Sequence, residues 1–285
     1  MKNKKFIFDI NKIRMEISFK SFEELRSILS FYQENGLKKI NIPCKNNLKK
    51  DFLLNSIKIT REEFSNINII PHFSILHEFR RNSVSTQIAF KEFLSFVQQL
   101  GCKEVLLVSG SRKRSTLDTV STLNSLKDNH LFSSTDFSIG VAFNPYLPNF
   151  LFEDEIKRLE QKLQSCLVNS IWIQFGTDTR LFESRMKILQ NILLLHKKNN
   201  PKGSNIFLFG SVLIPSKQFL ARFKFRPWKG VYCSNEFLGS IDTANNIVSN
   251  IIKTYKKYNI IPIIETCVST EIQLMSLKNF LVSKS

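Results

Sequence analysis

The chain of 285 residues has no cysteine pair close enough in sequence to act together, because Cys44, Cys102, Cys166, Cys233 and Cys267 stand singly. An odd, dispersed set without a C-x-x-C motif argues against a disulfide framework and a thiolate zinc site, and it suits reduced thiols in a reducing compartment. Apolar runs of membrane-spanning length are missing too. The basic opening Met1–Asp9 is interrupted at Asp9 before a signal-type apolar core can form, so a cytoplasmic protein is expected. No G-x-G-x-x-G follows the first strand signal and no other Gly-rich phosphate loop appears, which counts against a dinucleotide-binding open sheet. No Ser/His/Asp or Cys/His set stands in a recognisable context, which removes support for nucleophilic hydrolysis. His77 and Glu78 follow His72 at a spacing that fits no familiar ligand motif, so no metal is expected.

What is present is ample core-forming material, 42% hydrophobic residues against 23% charged ones, which excludes a disordered or fibrous class. The 41 Lys and Arg outnumber the 24 Asp and Glu, for a formal net charge of +17. A basic surface attracts anions such as nucleic acids or phosphorylated cofactors. Here the lysines are scattered over most helical segments instead of forming one stripe with interleaved aromatics, so diffuse charge is expected and nucleic acid is not the expected partner. A small-molecule ligand and an assembly of identical chains remain compatible with this composition.

Short β-branched or aromatic runs alternate with longer segments of helical period along the whole chain. Strands are expected at 13–19, 38–43, 67–74, 103–109, 137–143, 170–175, 205–210 and 260–265. Helices are expected near 21–35, 48–64, 84–100, 116–128, 153–168, 180–199, 216–224 and 240–257, with a last one near 269–281. Ser21, Ser83, Asp178 and Ser216 are candidate N-caps. Eight strand and helix pairs without a linker or repeat predict a single α/β domain over residues 1–285, a (β/α)8 TIM barrel, with its chemistry on the loops after each strand.

In such a barrel, alternate strand residues face the lumen. Ile13, Met15, Ile17 and Phe19 make the outer set of strand one, leaving Arg14, Glu16 and Ser18 inside. A lumenal carboxylate is costly unless partnered or used, which makes Glu16 the most informative residue; a structural ion pair with Arg14 or another lumen charge is the bland alternative. The same sorting puts His72 with Ser74 on strand three, and Trp172 with Gln174 on strand six. Strand five offers Ser138, Gly140, Ala142 and Asn144, small residues that leave space for a flat ligand. After strand four, the loop Ser109–Thr116 combines Gly110 with three cationic side chains before a helix, a setting able to hold phosphate, although a solvated basic turn has the same composition.

Four segments, in this order, resemble the methylenetetrahydrofolate reductase family. Met15-Glu-Ile-Ser18 resembles its first strand, Pro71-His-Phe-Ser74 its Pro-His-Leu-Thr strand, Phe137–Pro145 its fifth strand, and Ile171-Trp-Ile-Gln-Phe175 its Ile-Thr-Gln-Phe strand; Ile214-Pro215 is similar to the turn after strand seven. The resemblance implies reduction of 5,10-methylenetetrahydrofolate to 5-methyltetrahydrofolate by NAD(P)H through bound FAD, in one-carbon and methionine metabolism. Glu16 would be the general acid, Gln174 the folate ligand, and His72, Ser109, Gly110, Ser111, Ala142, Asn144 and Lys162 the flavin contacts. The family's Leu-Arg-Gly-Asp after strand four stands here as Val108-Ser-Gly-Ser111, and its Tyr-Pro-Glu-x-His-Pro after strand five as Asn144-Pro-Tyr-Leu-Pro148. Those replacements keep open a second function class, a non-catalytic folate- or partner-binding barrel without flavin.

Overall fold

The computed structural model describes residues 7–44, 50–78, 83–110, 117–126, 137–201 and 205–282. Each expected strand forms: β1 (Arg14–Glu16), β2 (Lys39–Ile42), β3 (Asn68–Ser74), β4 (Glu104–Val108), β5 (Ser138–Phe143), β6 (Val168–Ile173), β7 (Phe207–Val212) and β8 (Ile261–Ile264). All pair in parallel with their sequence neighbours, and β8 returns to β1 through Arg14 beside Ile263 and Met15 beside Ile264. The result is a closed eight-stranded barrel, the TIM-barrel fold, in which no edge is left unpaired.

The helices are α1 (Phe22–Glu34), α2 (Lys50–Glu63), α3 (Ile75–Glu78), α4 (Ser83–Gln99), α5 (Thr119–Asn124), α6 (Asn149–Leu163), α7 (Thr179–Asn199), α8 (Lys217–Phe225), α9 (Asn235–Gly239), α10 (Ile241–Lys257) and α11 (Glu271–Phe280). Ser21, Asp178 and Ser216 cap as expected, each side-chain oxygen accepting a backbone N–H three residues on. Ser83 instead is the first residue of α4. The start of α5 moves from 116 to 119 because Asp118 forms a capping box with Ser121. The short helices α3 and α9 were not expected, since four or five residues are too few to show a helical period. None of the described helices is long and apolar enough to cross a membrane.

Two cores result from strand alternation. Outward residues such as Met15, Ile40, Leu107, Val141 and Ile171 are buried under the helices in one large cluster. Inward residues Ile70, Leu106, Trp172, Phe209 and Ile263 form a separate apolar plug inside the barrel, with Trp172 stacked on Phe209 at 4.2 Å between ring centroids. Because Ser211 and Val212 pair with Ile263 and Ile264 of β8, strand β7 runs to Val212, two residues past its expected end at Gly210. The Tyr255 ring stands where its Cβ would be, 2.4 Å away, so the glycine marks close packing and not a turn.

Gly140 has a similar role inside the lumen. A Cβ there would lie 2.3 Å from Trp172 Nε1 and 2.6 Å from Ser170 Oγ. Gly140→Ala is expected to displace the indole and cost roughly 1–3 kcal/mol, the range for overpacking. A urea unfolding midpoint equal to that of the parent would refute this account of the plug.

Candidate functional site

The lumen is polar below the plug and polar again above it. Below, Arg14 is buried, and burial pulls its guanidinium down to about 10, with the Glu104 carboxylate opposing that shift. Its Nε donates to Asn41 Oδ1 at 2.7 Å, one terminal nitrogen to Asn68 Oδ1 at 2.8 Å and the other to the Ile40 carbonyl at 2.6 Å. The guanidinium of Arg14, an expected partner for Glu16, donates to strands β2 and β3, and the charge acting on it comes from Glu104 on β4. Glu104 itself is held above the ordinary carboxylate range by burial, against the Ser170 hydroxyl, the Arg14 charge and the Trp172 indole.

Above the plug, Glu16, His72, Trp172, Gln174, Ser211 and Glu265 surround a cavity of about 150 Å³ at the C-terminal mouth of the lumen. Strands one, three and six thus deliver Glu16, His72 and Gln174 to one place, as period two required. Glu265 was missed. Sorting strand eight by the same rule, with Ile261 and Ile263 facing inward, would have found it. The β1–β8 register pairs Met15 with Ile264, the residues just before Glu16 and Glu265, both of which line this cavity, and the Ser211 hydroxyl donates to Glu265 Oε1. Ser211 was missed because a Gly-Ser pair reads as a strand end.

The mouth opens into a larger cavity of about 710 Å³, since Val108, Ala142 and Gln174 line both. Ser109, Gly110, Ala142, Asn144 and Lys162 all line it. Ser111 lies outside the described residues, as does the rest of the basic loop to Thr116. Ala142 is exposed on the cavity side, a small floor residue. Gly110 has φ +90, and a Cβ there would lie 2.4 Å from that of Leu76. The Ser109 hydroxyl accepts from the Thr119 amide at 3.2 Å. Asn144 is tied on two sides: its Nδ2 donates to the Gly230 carbonyl at 2.8 Å, and its Oδ1 accepts from the Tyr146 amide at 3.0 Å. It therefore joins the loop after β5 to the loop before α9 and presents a wall more than a free amide.

Two cations on α6 face this cavity. Arg158 pairs with Asp118 at 2.7 Å. Lys162 is buried, and its Nζ donates to the Ala142 carbonyl at 2.9 Å. Burial lowers its pKa and Arg158 adds to that, while Glu155 and Asp118 oppose it. The Ser74 hydroxyl is buried on the same wall with no hydrogen-bond partner among the described residues. An unsatisfied buried hydroxyl beside a cavity is a natural partner for a ligand. Gln174 Oε1 accepts from the Phe175 amide at 2.9 Å, which leaves its Nε2 amide to offer a ligand. Among the described residues no group of three or more His, Cys, Asp or Glu could hold a metal ion.

No family model and no curated protein matches the chain. Among solved structures, it is similar to a provisionally assigned 2,5-diketo-D-gluconic acid reductase B at 11% identity and a TM-score of 0.49, covering 96% of this chain and 84% of that one. A provisionally assigned member of the dihydrodipicolinate synthase family from Coccidioides immitis is similar at 11% identity and a TM-score of 0.45, covering 86% and 77%. At such identities and scores the likeness says nothing of the chemistry of this chain.

A lysine with a depressed pKa favours the folded state only above its ordinary range, and that contribution is lost as pH falls through the folded value. At neutral pH Lys162 is therefore a stability cost. Lys162→Met is expected to leave the thermal midpoint unchanged or raise it by about 2–4 °C, the shift that ~1 kcal/mol produces in a large domain. The same variant should weaken binding of phosphorylated ligands. A lower midpoint with unchanged ligand binding would show that the lysine is purely structural.

Proposed function

We propose that this barrel is a flavin-dependent reductase of 5,10-methylenetetrahydrofolate with NAD(P)H as reductant. The observation that supports it most is the convergence of Glu16, His72 and Gln174, from three strands, on one lumen mouth that opens into a cavity lined by Gly110, Ala142 and Lys162. The walls suit a flat phosphorylated cofactor in three respects. Ala142 and Gly110 leave room for a ring and a backbone approach, Ser74 holds an unsatisfied hydroxyl, and Arg158, Lys162 and Lys229 bring positive charge. FAD, when bound, supplies the hydride chemistry that no side chain of this chain can perform.

The chain's own residues do the rest. Glu16 holds a proton at the lumen mouth for a substrate nitrogen, and the Glu265 carboxylate beside it favours keeping that proton, because two adjacent carboxylates resist joint ionisation. The Ser211 hydroxyl donates to Glu265 and so fixes that carboxylate at the mouth. Gln174 offers its Nε2 amide to a heterocycle, and Trp172 closes the floor against water. Lys162 and Arg158 supply counter-charge to phosphate.

One observation favours a second function, a folate- or partner-binding barrel without flavin. The α6 cations already have partners, Arg158 in Asp118 and Lys162 in the Ala142 carbonyl. The two are separated by adding FAD to the purified protein. Under the first, the visible spectrum of the flavin shifts and the melting temperature rises, as it must for a ligand specific to the native state. Glu16→Gln should then keep flavin binding and NAD(P)H oxidation with an artificial acceptor, while folate reduction falls by about 10²–10⁴-fold. Absence of both the spectral and the thermal shift would leave only the second function standing.

A further inference from the structure

His72 sits on β3 at the lumen mouth, buried, with its ring edge-on to Trp172 at 6.4 Å between centroids. Its Nε2 lies 2.8 Å from Asn41 Nδ2. A ring nitrogen at that distance from an amide group can be donor or acceptor, and the choice is decided one bond further on. Arg14 Nε–H, which can only donate, lies 2.7 Å from the other end of the same amide. That end must be the oxygen. Asn41 is fully buried, and the guanidinium is pinned in turn by Asn68 and the Ile40 carbonyl, so turning the amide over would set two N–H groups against each other. Asn41 therefore presents N–H to His72, and Nε2 must accept.

We propose that Arg14 and Asn41 are positioning residues that hold His72 neutral, with its single proton on Nδ1. Each bond has one donor and one acceptor: Arg14 donates to Asn41, and Asn41 donates to His72. Protonating Nε2 would require the relay to break. Glu265 on β8 and Glu16 on β1 line the same cavity; the Glu265 carboxylate favours the imidazolium, as Glu16 does only when ionised, whereas the Arg14 cation on β1 and the Asn41 amide on β2 oppose it. The relay has a functional consequence. Nε2 of His72 is closed to service as a general base or a metal ligand, so His72 acts as a fixed hydrogen-bond donor and proton transfer at the mouth falls to the carboxylates. This holds whether or not a flavin binds in the neighbouring cavity.

The test is a long-range proton–nitrogen NMR spectrum of the full chain with 15N-labelled histidine at pH 7, which reads the tautomer of each of the four histidines. His72→Gln assigns its signals by their loss. The wild-type ring is expected to show an unprotonated Nε2 and a protonated Nδ1. Asn41→Asp, which replaces the amide donor by an acceptor, is expected to move the proton onto Nε2 or convert the ring to imidazolium. A wild-type ring that is protonated on Nε2, whether neutral or cationic, overturns the proposal without reference to activity. So does an Asn41→Asp variant that keeps its native circular dichroism and the Nδ1–H tautomer.

Discussion

A buried guanidinium inside the barrel constrains much of what surrounds it. Moving an arginine out of water is costly unless its donors are met, and Arg14 meets them on two neighbouring strands, through Asn41, Asn68 and Ile40. Those bonds tie β1, only three residues long in the ladder, to β2 and β3. They also bring the relay to His72 and so reach from the floor of the lumen to its mouth. Across the lumen, Glu104 answers the charge and is held by the Ser170 hydroxyl, which in turn accepts from the Trp172 indole at 2.7 Å. The apolar plug is thus oriented from below by a polar network and is more than a filling of volume.

That orientation matters for the upper site. Trp172 stacked on Phe209 forms the floor on which the carboxylates, His72 and Gln174 stand. Gly140 is the neighbour that makes room for the indole, and Ala142 two residues on leaves the strand five wall low where the two cavities join. A flat ligand needs such a wall, and a packed barrel supplies one only if small residues fall on the right strand. The buried Lys162 follows the same logic at the outer cavity, where a cation is kept despite its desolvation and reaches no further than the Ala142 carbonyl.

Much of this was legible in the primary structure. Eight strand signals separated by helical periods specify a barrel, because a parallel pair needs a helical crossover and eight such units close on themselves. Period two by itself sorts Glu16, His72 and Gln174 onto the lumen face. Element ends were less legible. Asp118 could be recognised as a cap only with Ser121 folded back on it, and the end of strand seven fell two residues short because Ser211 and Val212 find their partners Ile263 and Ile264 only in the closed sheet.

Local sequence determined the strands, their faces and thus which side chains enter the lumen, since alternation is a property of an extended chain alone. Register is not such a property. Only closure of β8 onto β1 set Glu265 beside Glu16, because residues some 250 positions apart meet only through the shear of the finished barrel. Likewise the partner of Arg14 lies on β2 and β3 and not next to it in sequence, and the proton position on His72 follows from that choice of partner. Tertiary structure decided these points because a hydrogen bond depends on the direction of its donor, which spacing along a chain does not encode.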